Sequence, residues 1–287
     1  MNLREALAAG FNRLHASPSL REHALHNAAY LLRHILNISR ASFLANYDRI
    51  LTPEEQAVYE AAVTRRLTNE PMQYIIGTIE FYGLPLRVTP AVLIPRHSTE
   101  SLVELVLEEF KSRGQTGDPL RIVDVGAGSG AIAIALAHHL PHAQLTALDL
   151  SPEAVAVAAS NAQLNSLGHR IRPLRSDLLS ALAGEPPFDA VVSNPPYIPS
   201  EDRDTLHPQI RDFEPEISLY GGADGLEIYH RLIPQARAAL KPSGLLAIEI
   251  GHGQRDAIAA MLSEWNELHF VDDLQQIPRI ALARKPE

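Results

Sequence analysis

The chain has 287 residues, 46% hydrophobic and 21% charged, enough for one large domain and a small one. It contains no cysteine, which excludes disulfides, zinc thiolates and a cysteine nucleophile. The net charge of −9 falls entirely after residue 85, because the first 85 residues carry 8 basic and 8 acidic side chains; with no run of basic residues, the pattern speaks against a nucleic-acid substrate.

No apolar run reaches the roughly 18 residues that a membrane span needs, and "MNLREALAAGFNRLHAS" lacks the apolar core of a signal peptide. The expectation is a cytoplasmic protein with no membrane partner. Residues 1–74 read as helices. Ser19 to Glu22 ("SLRE") has the form of a capping box ahead of "HALHNAAYLLRHIL". Thr52 to Glu55 ("TPEE") is another, with Pro53 at the first helical position. His23, His26 and His34 share this stretch without a carboxylate cluster, so no metal is expected. Residues 75–95 change character: β-branched and aromatic residues bracket Gly83-Leu84-Pro85, which predicts a hairpin or extended connector. The remainder, 96–287, opens with a helix for which Ser98 is the expected cap and Gly114 the stop. From residue 120 strands alternate with helices: "LRIVDVG", "SGAIAIALAHHL", "AQLTALDL", "SPEAVAVAASNAQLNSLG", then the strands "IRPLRSD", "FDAVVSNPP" and "GLLAIEIG". That order predicts an α/β domain with a parallel sheet covered on both faces.

"DVGAGSG" ends the first of these strands and opens a helix. Gly126, Gly128 and Gly130 leave the backbone bare, so that a ligand can lie against it. A dinucleotide fingerprint is spaced G-x-G-x-x-G; here the third glycine arrives one residue early, and no P-loop lysine follows. Asp149 ends the next strand, where an acid accepts from both ribose hydroxyls. Together these point to a nucleoside without a diphosphate, and S-adenosylmethionine fits. Asp177, at the end of the third strand, either accepts from an adenine amino group or caps a helix.

"SNPPY" follows the fourth strand, which in such a sheet lies beside the first, so it faces the same cleft. Pro195 and Pro196 each fix a φ angle and hold the preceding residue extended. Asn194 and the Pro195 carbonyl become two acceptors at a set separation, and Tyr197 offers a flat ring. Such a set suits a planar NH2 group. As a methyl group reaches that nitrogen its N–H bonds become more acidic, and acceptors aimed at them stabilise the transition state more than the ground state.

These motifs resemble the bacterial release factor glutamine methyltransferases. "EPMQYIIGTIEFYGLPLRVTPAVLIPR", "DVGAGSGAIAIALA", "LDLSPEAVAVA", "VSNPPYIP", "FEPEISLYGGADGLEIYHRLI" and "LKPSGLLAIEIGHGQ" occur in that family's order, from about residue 70 to 255. The resemblance implies a Rossmann-like, seven-stranded class I methyltransferase domain with a final antiparallel strand, a connecting hairpin and a small N-terminal helical bundle that recognises the substrate. It implies a monomer that passes a methyl group from S-adenosylmethionine, leaving S-adenosylhomocysteine, to the N5 amide nitrogen of the glutamine in the Gly-Gly-Gln loop of peptide chain release factors. Gly126, Ala127, Gly128, Ser129, Gly130, Asp149, Asp177 and Leu178 would hold the cofactor. Asn194 would meet cofactor and substrate, with Pro195, Pro196 and Tyr197 forming the substrate wall and Asn194, Pro195 and Tyr197 serving catalysis. The chain departs from the family at His97-Ser98-Thr99-Glu100, where Pro-Glu-Thr-Glu is usual, at Leu178, where an aromatic residue is common, and in "LQQIPRIALAR" near the C-terminus. The alternatives are a methyltransferase of another amino group (ribosomal-protein glutamine, DNA adenine N6 or rRNA guanine N2) and a non-catalytic nucleoside-binding domain.

Overall fold

The computed structural model describes residues 1–273 and 275–287. It divides into two compact units, one of Met1–Thr78 with His207–Phe213, the other of Ile79–Leu206 with Glu214–Glu287.

The first unit is helical: α1 (Leu3–His15), α2 (Ala24–Ile35), α3 (Arg40–Ala45), α4 (Pro53–Leu67) and α5 (Met72–Ile76). Leu14, Leu31, Leu32, Phe43 and Val63 fill its core. Gly10 is needed where α1 meets α4, because a Cβ there would run into the Tyr59 hydroxyl; Tyr59 then donates to the Ala28 carbonyl at 3.3 Å. The capping box at Thr52 forms as expected, with Glu55 returning the bond. The one at Ser19 does not. A 3-10 turn over Arg21–His23 intervenes, α2 begins at Ala24, and no side chain caps it. Ser19 Oγ is instead spent on Asn69 Oδ1 at 2.8 Å.

Strands β1 (Thr78–Phe81) and β2 (Leu84–Arg87) pair across Tyr82-Gly83. Both turn residues have positive φ, 51° and 74°, the twist that matches a two-residue hairpin. Then come α6 (His97–Ser112), β3 (Arg121–Val125), α7 (Ala131–His139), β4 (Gln144–Asp149), α8 (Pro152–Leu164), β5 (Ile171–Arg175), β6 (Phe188–Ser193), α9 (Pro208–Arg211, in the first unit), α10 (Glu227–Ala239), β7 (Leu240–Glu249), α11 (Arg255–Met261), β8 (Asn266–Asp272) and β9 (Pro278–Arg284). Ser98 is not the cap of α6: Arg96 occupies that position, and Ser98 is an exposed residue of the first turn. Ser151 caps α8, accepting from Ala154 N at 3.1 Å.

The sheet has the order β5-β4-β3-β6-β7-β9-β8. β3 to β7 are parallel, and β9 is antiparallel to both β7 and β8. Successive strand residues serve opposite cores, the period-two consequence of the pleat. Ile122, Ala190 and Val192 pack with residues of α6 and α7 on one face. Val123, Val191 and Leu246 pack with residues of α10 and α11 on the other. Since β3 leads to β4 on one side and β6 lies on the other, a crevice opens at their carboxyl ends, the position where open α/β sheets bind ligands.

Candidate active site

β3 ends at Val125 in register with Ser193 of β6. Ser193 Oγ donates to the Val125 carbonyl at 2.6 Å, which ties the two strand ends together. The glycine loop and the Asn-Pro-Pro segment therefore leave the sheet side by side. Gly126, Gly128 and Gly130 have φ of 72°, 54° and 80°, a region that side chains disfavour. At Gly130 the reason is also packing: a Cβ would lie 3.2 Å from that of Ala158 on α8.

Asp149, at the end of β4, is pinned by two backbone amides. Gly128 N donates to Oδ2 at 2.8 Å and Ser151 N to Oδ1 at 2.9 Å. Burial pushes its carboxyl above the usual range, while these amide bonds oppose the rise. Each oxygen keeps a lone pair, so the group is set to accept from a vicinal diol. Asp177 Oδ2 accepts from Arg231 at 2.6 Å, and Leu178 follows it with φ 50°.

A cleft opens at these strand ends. Gly126, Gly128, Asp149, Asp177, Leu178, Asn194, Pro195 and Pro196 line it, joined by apolar Val92, Leu93 and Ile217. Ala127, Ser129, Gly130 and Tyr197 are not part of its lining. Ser129 is buried behind the loop, its carbonyl accepting from Asn161 at 2.9 Å. Tyr197 turns its hydroxyl to Glu249 Oε1 at 3.3 Å, and its ring packs against the second core. The hydroxyl's pKa is driven up by burial, then by the Glu249 charge.

Three residues of this region escape sequence reasoning. Glu249, at the end of β7, is 1% exposed and accepts from Thr99 Oγ1 at 2.7 Å. Thr99, in the first turn of α6, accepts from Asn194 Nδ2 at 3.0 Å. Glu214 is buried and accepts from Arg96 at 2.6 Å, which joins the segment before α6 to the one carrying Ile217. Burial raises the carboxyl pKa of both Glu214 and Glu249. The available signal was an acid inside the apolar strand "GLLAIEIG", since a buried charge requires partners. Among the described residues no cluster of histidine, cysteine or carboxylates is placed to hold a metal, and no helix is long and apolar enough to cross a membrane.

Residues 5–77 match the PrmC N-terminal domain family and residues 99–210 the methyltransferase small domain. A release factor glutamine methyltransferase of Koribacter versatilis is 41% identical over 288 residues, covering 100% of this chain and 99% of the relative. One from Geobacter sulfurreducens is 43% identical over 84% of this chain and 82% of its own length. Among solved structures, the catalytic domain of hMettl16 in complex with MAT2A 3'UTR hairpin 6 aligns with a TM-score of 0.56 at 15% identity, covering 82% of this chain and 83% of that one. A methyltransferase from Pyrococcus furiosus aligns at 0.52 and 16%, over 82% of this chain and all of the other. These two likenesses concern the fold alone.

Proposed function

The chain belongs to the release factor glutamine methyltransferases, and from that premise we propose that it transfers a methyl group from S-adenosylmethionine to the side-chain amide nitrogen of the glutamine in the Gly-Gly-Gln loop of peptide chain release factors. The observation that carries this reading is the position of Asn194. It lines the same cleft as Gly126, Gly128 and Asp149, one residue beyond the strand that pairs with β3.

The cleft fits the cofactor. The bare backbone at Gly126 and Gly128 would admit it, with only the Asn194 carbonyl, at 4.0 Å, near a Cβ built on Gly126. Asp149 would accept from its ribose hydroxyls. Asp177 and Leu178 would border the adenine, and Asp177's bond to Arg231 leaves its second oxygen to accept an amino hydrogen. The bound cofactor supplies an electrophilic methyl on a sulfonium. The protein's task is to present the substrate nitrogen. An amide nitrogen is a weak nucleophile because its lone pair is delocalised, and it becomes acidic only as the new N–C bond forms. Asn194 Oδ1 and the Pro195 carbonyl would accept its two hydrogens and hold it in line with the methyl. One N–H proton would leave to solvent as the nitrogen takes the methyl and sulfur keeps the C–S bond pair, giving the N-methylated amide and S-adenosylhomocysteine. Pro195 and Pro196 keep the acceptors stiff, and Tyr197, anchored on Glu249, backs that wall.

Selection of one glutamine among many requires surface outside the cleft. We assign that role to the N-terminal helical unit, whose mixed acids and bases suit a protein partner better than a phosphate backbone. The test is incubation with radiolabelled cofactor in a translation extract lacking its own such enzyme. A release factor labelled on glutamine is the expected product. Label on RNA or DNA, or cofactor binding without transfer to any protein, would overturn the proposal.

A further inference from the structure

Asn194 has two ends, an acceptor and a donor, and only one of them is useful to a substrate that offers an NH2. The structure contains a chain of three side chains that settles which end faces the cleft. Glu249 receives two hydroxyls: Thr99 Oγ1 at 2.7 Å on Oε2 and Tyr197 at 3.3 Å on Oε1. Thr99 in turn receives Asn194 Nδ2 at 3.0 Å. Glu249 and Thr99 are buried, at 1% and 5% exposure, and Asn194 lines the cleft.

The direction of the chain follows from donor counting. Both carboxyl oxygens of Glu249 accept, and a threonine hydroxyl has one hydrogen to give. With that hydrogen on Glu249, Thr99 can offer Asn194 only a lone pair. Asn194 must meet it with its NH2, so Oδ1 is left toward the cleft. Were Thr99 free to give its hydrogen to Asn194, the amide would turn over, and an NH2 would face the substrate's NH2. The other groups around Glu249 do not compete for Thr99. Arg96, at the start of α6, is bonded to Glu214. Arg279, on β9, is bonded to Asp273. Tyr229, on α10, donates to the backbone carbonyl of Glu249 and not to its side chain.

Resting on the reading of Asn194 as the acceptor of the substrate amide, we propose that Glu249 and Thr99 are positioning residues: buried and without contact to substrate, they set the polarity of the Asn194 amide through one hydroxyl. The carboxylate acts at a distance of two hydrogen bonds, and its service to the reaction is to consume the hydrogen that would otherwise invert the acceptor.

The experiment measures steady-state methylation of a release factor, with cofactor affinity by calorimetry and thermal unfolding as controls on each variant. Thr99→Val keeps the shape and removes the hydroxyl. Its kcat is expected to fall roughly 10-fold, the scale of one lost hydrogen bond, while the cofactor dissociation constant is kept. Thr99→Ser, which restores the hydroxyl, is expected to recover most of that loss. A second pair tests polarity itself. Asn194→Asp faces the Thr99 lone pair with another acceptor, so its kcat is expected to collapse. When Asn194→Asp is combined with Glu249→Gln, the new amide NH2 donates to Thr99, and Thr99 donates to the carboxylate introduced at position 194. The hydrogen bond that orients residue 194 is restored, and part of the activity is expected to return. This pair decides the matter even if Thr99→Val does not fold. Normal kcat in Thr99→Val, or no gain from adding Glu249→Gln to Asn194→Asp, would overturn the relay while leaving the reaction intact. Failure of the unaltered protein to methylate any release factor would overturn the functional reading beneath it.

Discussion

Removing the side chain of Asn194 leaves the strand before it untouched, because β6 is held by its ladder and by Ser193 on the Val125 carbonyl. Asn194→Ala is therefore expected to unfold at nearly the same temperature as the parent and to lose roughly 10²-fold in kcat, the cost of one transition-state hydrogen bond. Near-normal turnover would refute the acceptor role. Asp149 is a different case, since it braces the loop through Gly128 and Ser151 besides facing the cleft. Asp149→Ala should weaken cofactor binding by about 1.5–3 kcal/mol, the range for hydrogen bonds to a charged group. Unchanged affinity by titration calorimetry would mean that the acid only braces the loop. Both residues were legible in the sequence because glycines and prolines declare their backbone needs locally. Thr99, the partner of Asn194, was not: nothing near "HSTE" says which buried group its hydroxyl will meet.

Three capping signals, two capping boxes and a lone serine, fared differently. Thr52 caps α4 with Glu55 reciprocating. Ser19 is diverted to Asn69, and Ser98 lies inside α6. The element-scale expectation is that Thr52→Ala costs about 1 kcal/mol of stability. Ser98→Ala, exposed and capping nothing, should change it by less than about 0.5 kcal/mol. Urea unfolding of the two variants checks the contrast, and equal losses would contradict the assigned helix starts. A cap signature states which side chain is able to accept, whereas the first helical residue depends on where the chain enters the packed helix. That is why alternation of strands and helices was readable in the sequence while two of these three helix starts were not.

Across the whole molecule, burial raises the carboxyls of Asp124, Asp149, Glu214 and Glu249 above their ordinary values. Asp124 is the extreme, pushed up to about 7 by burial, with the Ala133 amide opposing and Asp149 adding to the rise. A carboxyl that holds its proton more tightly when folded makes the folded state the better proton binder between the two pKa values. Each such group therefore costs stability as pH rises, by at most about 1.4 kcal/mol per pH unit. For Asp124 the window runs from the ordinary 3.8 to about 7. Asp124→Asn, which keeps an acceptor for Ala133 N, should gain on the parent in unfolding temperature across that window; parallel curves would contradict it. At the same scale, a chain beginning near residue 75 should still bind S-adenosylmethionine. Its kcat/KM on intact release factor should fall by on the order of 10-fold or more, because each ~1.4 kcal/mol of lost contact is a factor of ten. A short Gly-Gly-Gln peptide should be equally poor for both forms. Undiminished methylation of whole release factor by a folded truncated enzyme would remove the N-terminal unit as the recognition element.

The sequence by itself determined the layered α/β sheet, the bare glycine loop with its acid one strand on, and the stiff Asn-Pro-Pro segment after the fourth strand. These rest on short-range physics: hydrophobic period, the freedom of glycine and the locked φ of proline. Only the tertiary structure decided that Asn194, Thr99 and Glu249 form one chain, joining residues 95 and 150 positions apart. It alone decided that Tyr197 leans on Glu249 and lies outside the lining of the cleft, and that Arg96 closes on Glu214 across 118 residues. Such pairings depend on strand register and on how a helix packs against a sheet, sums of many weak contacts that no local stretch of sequence encodes.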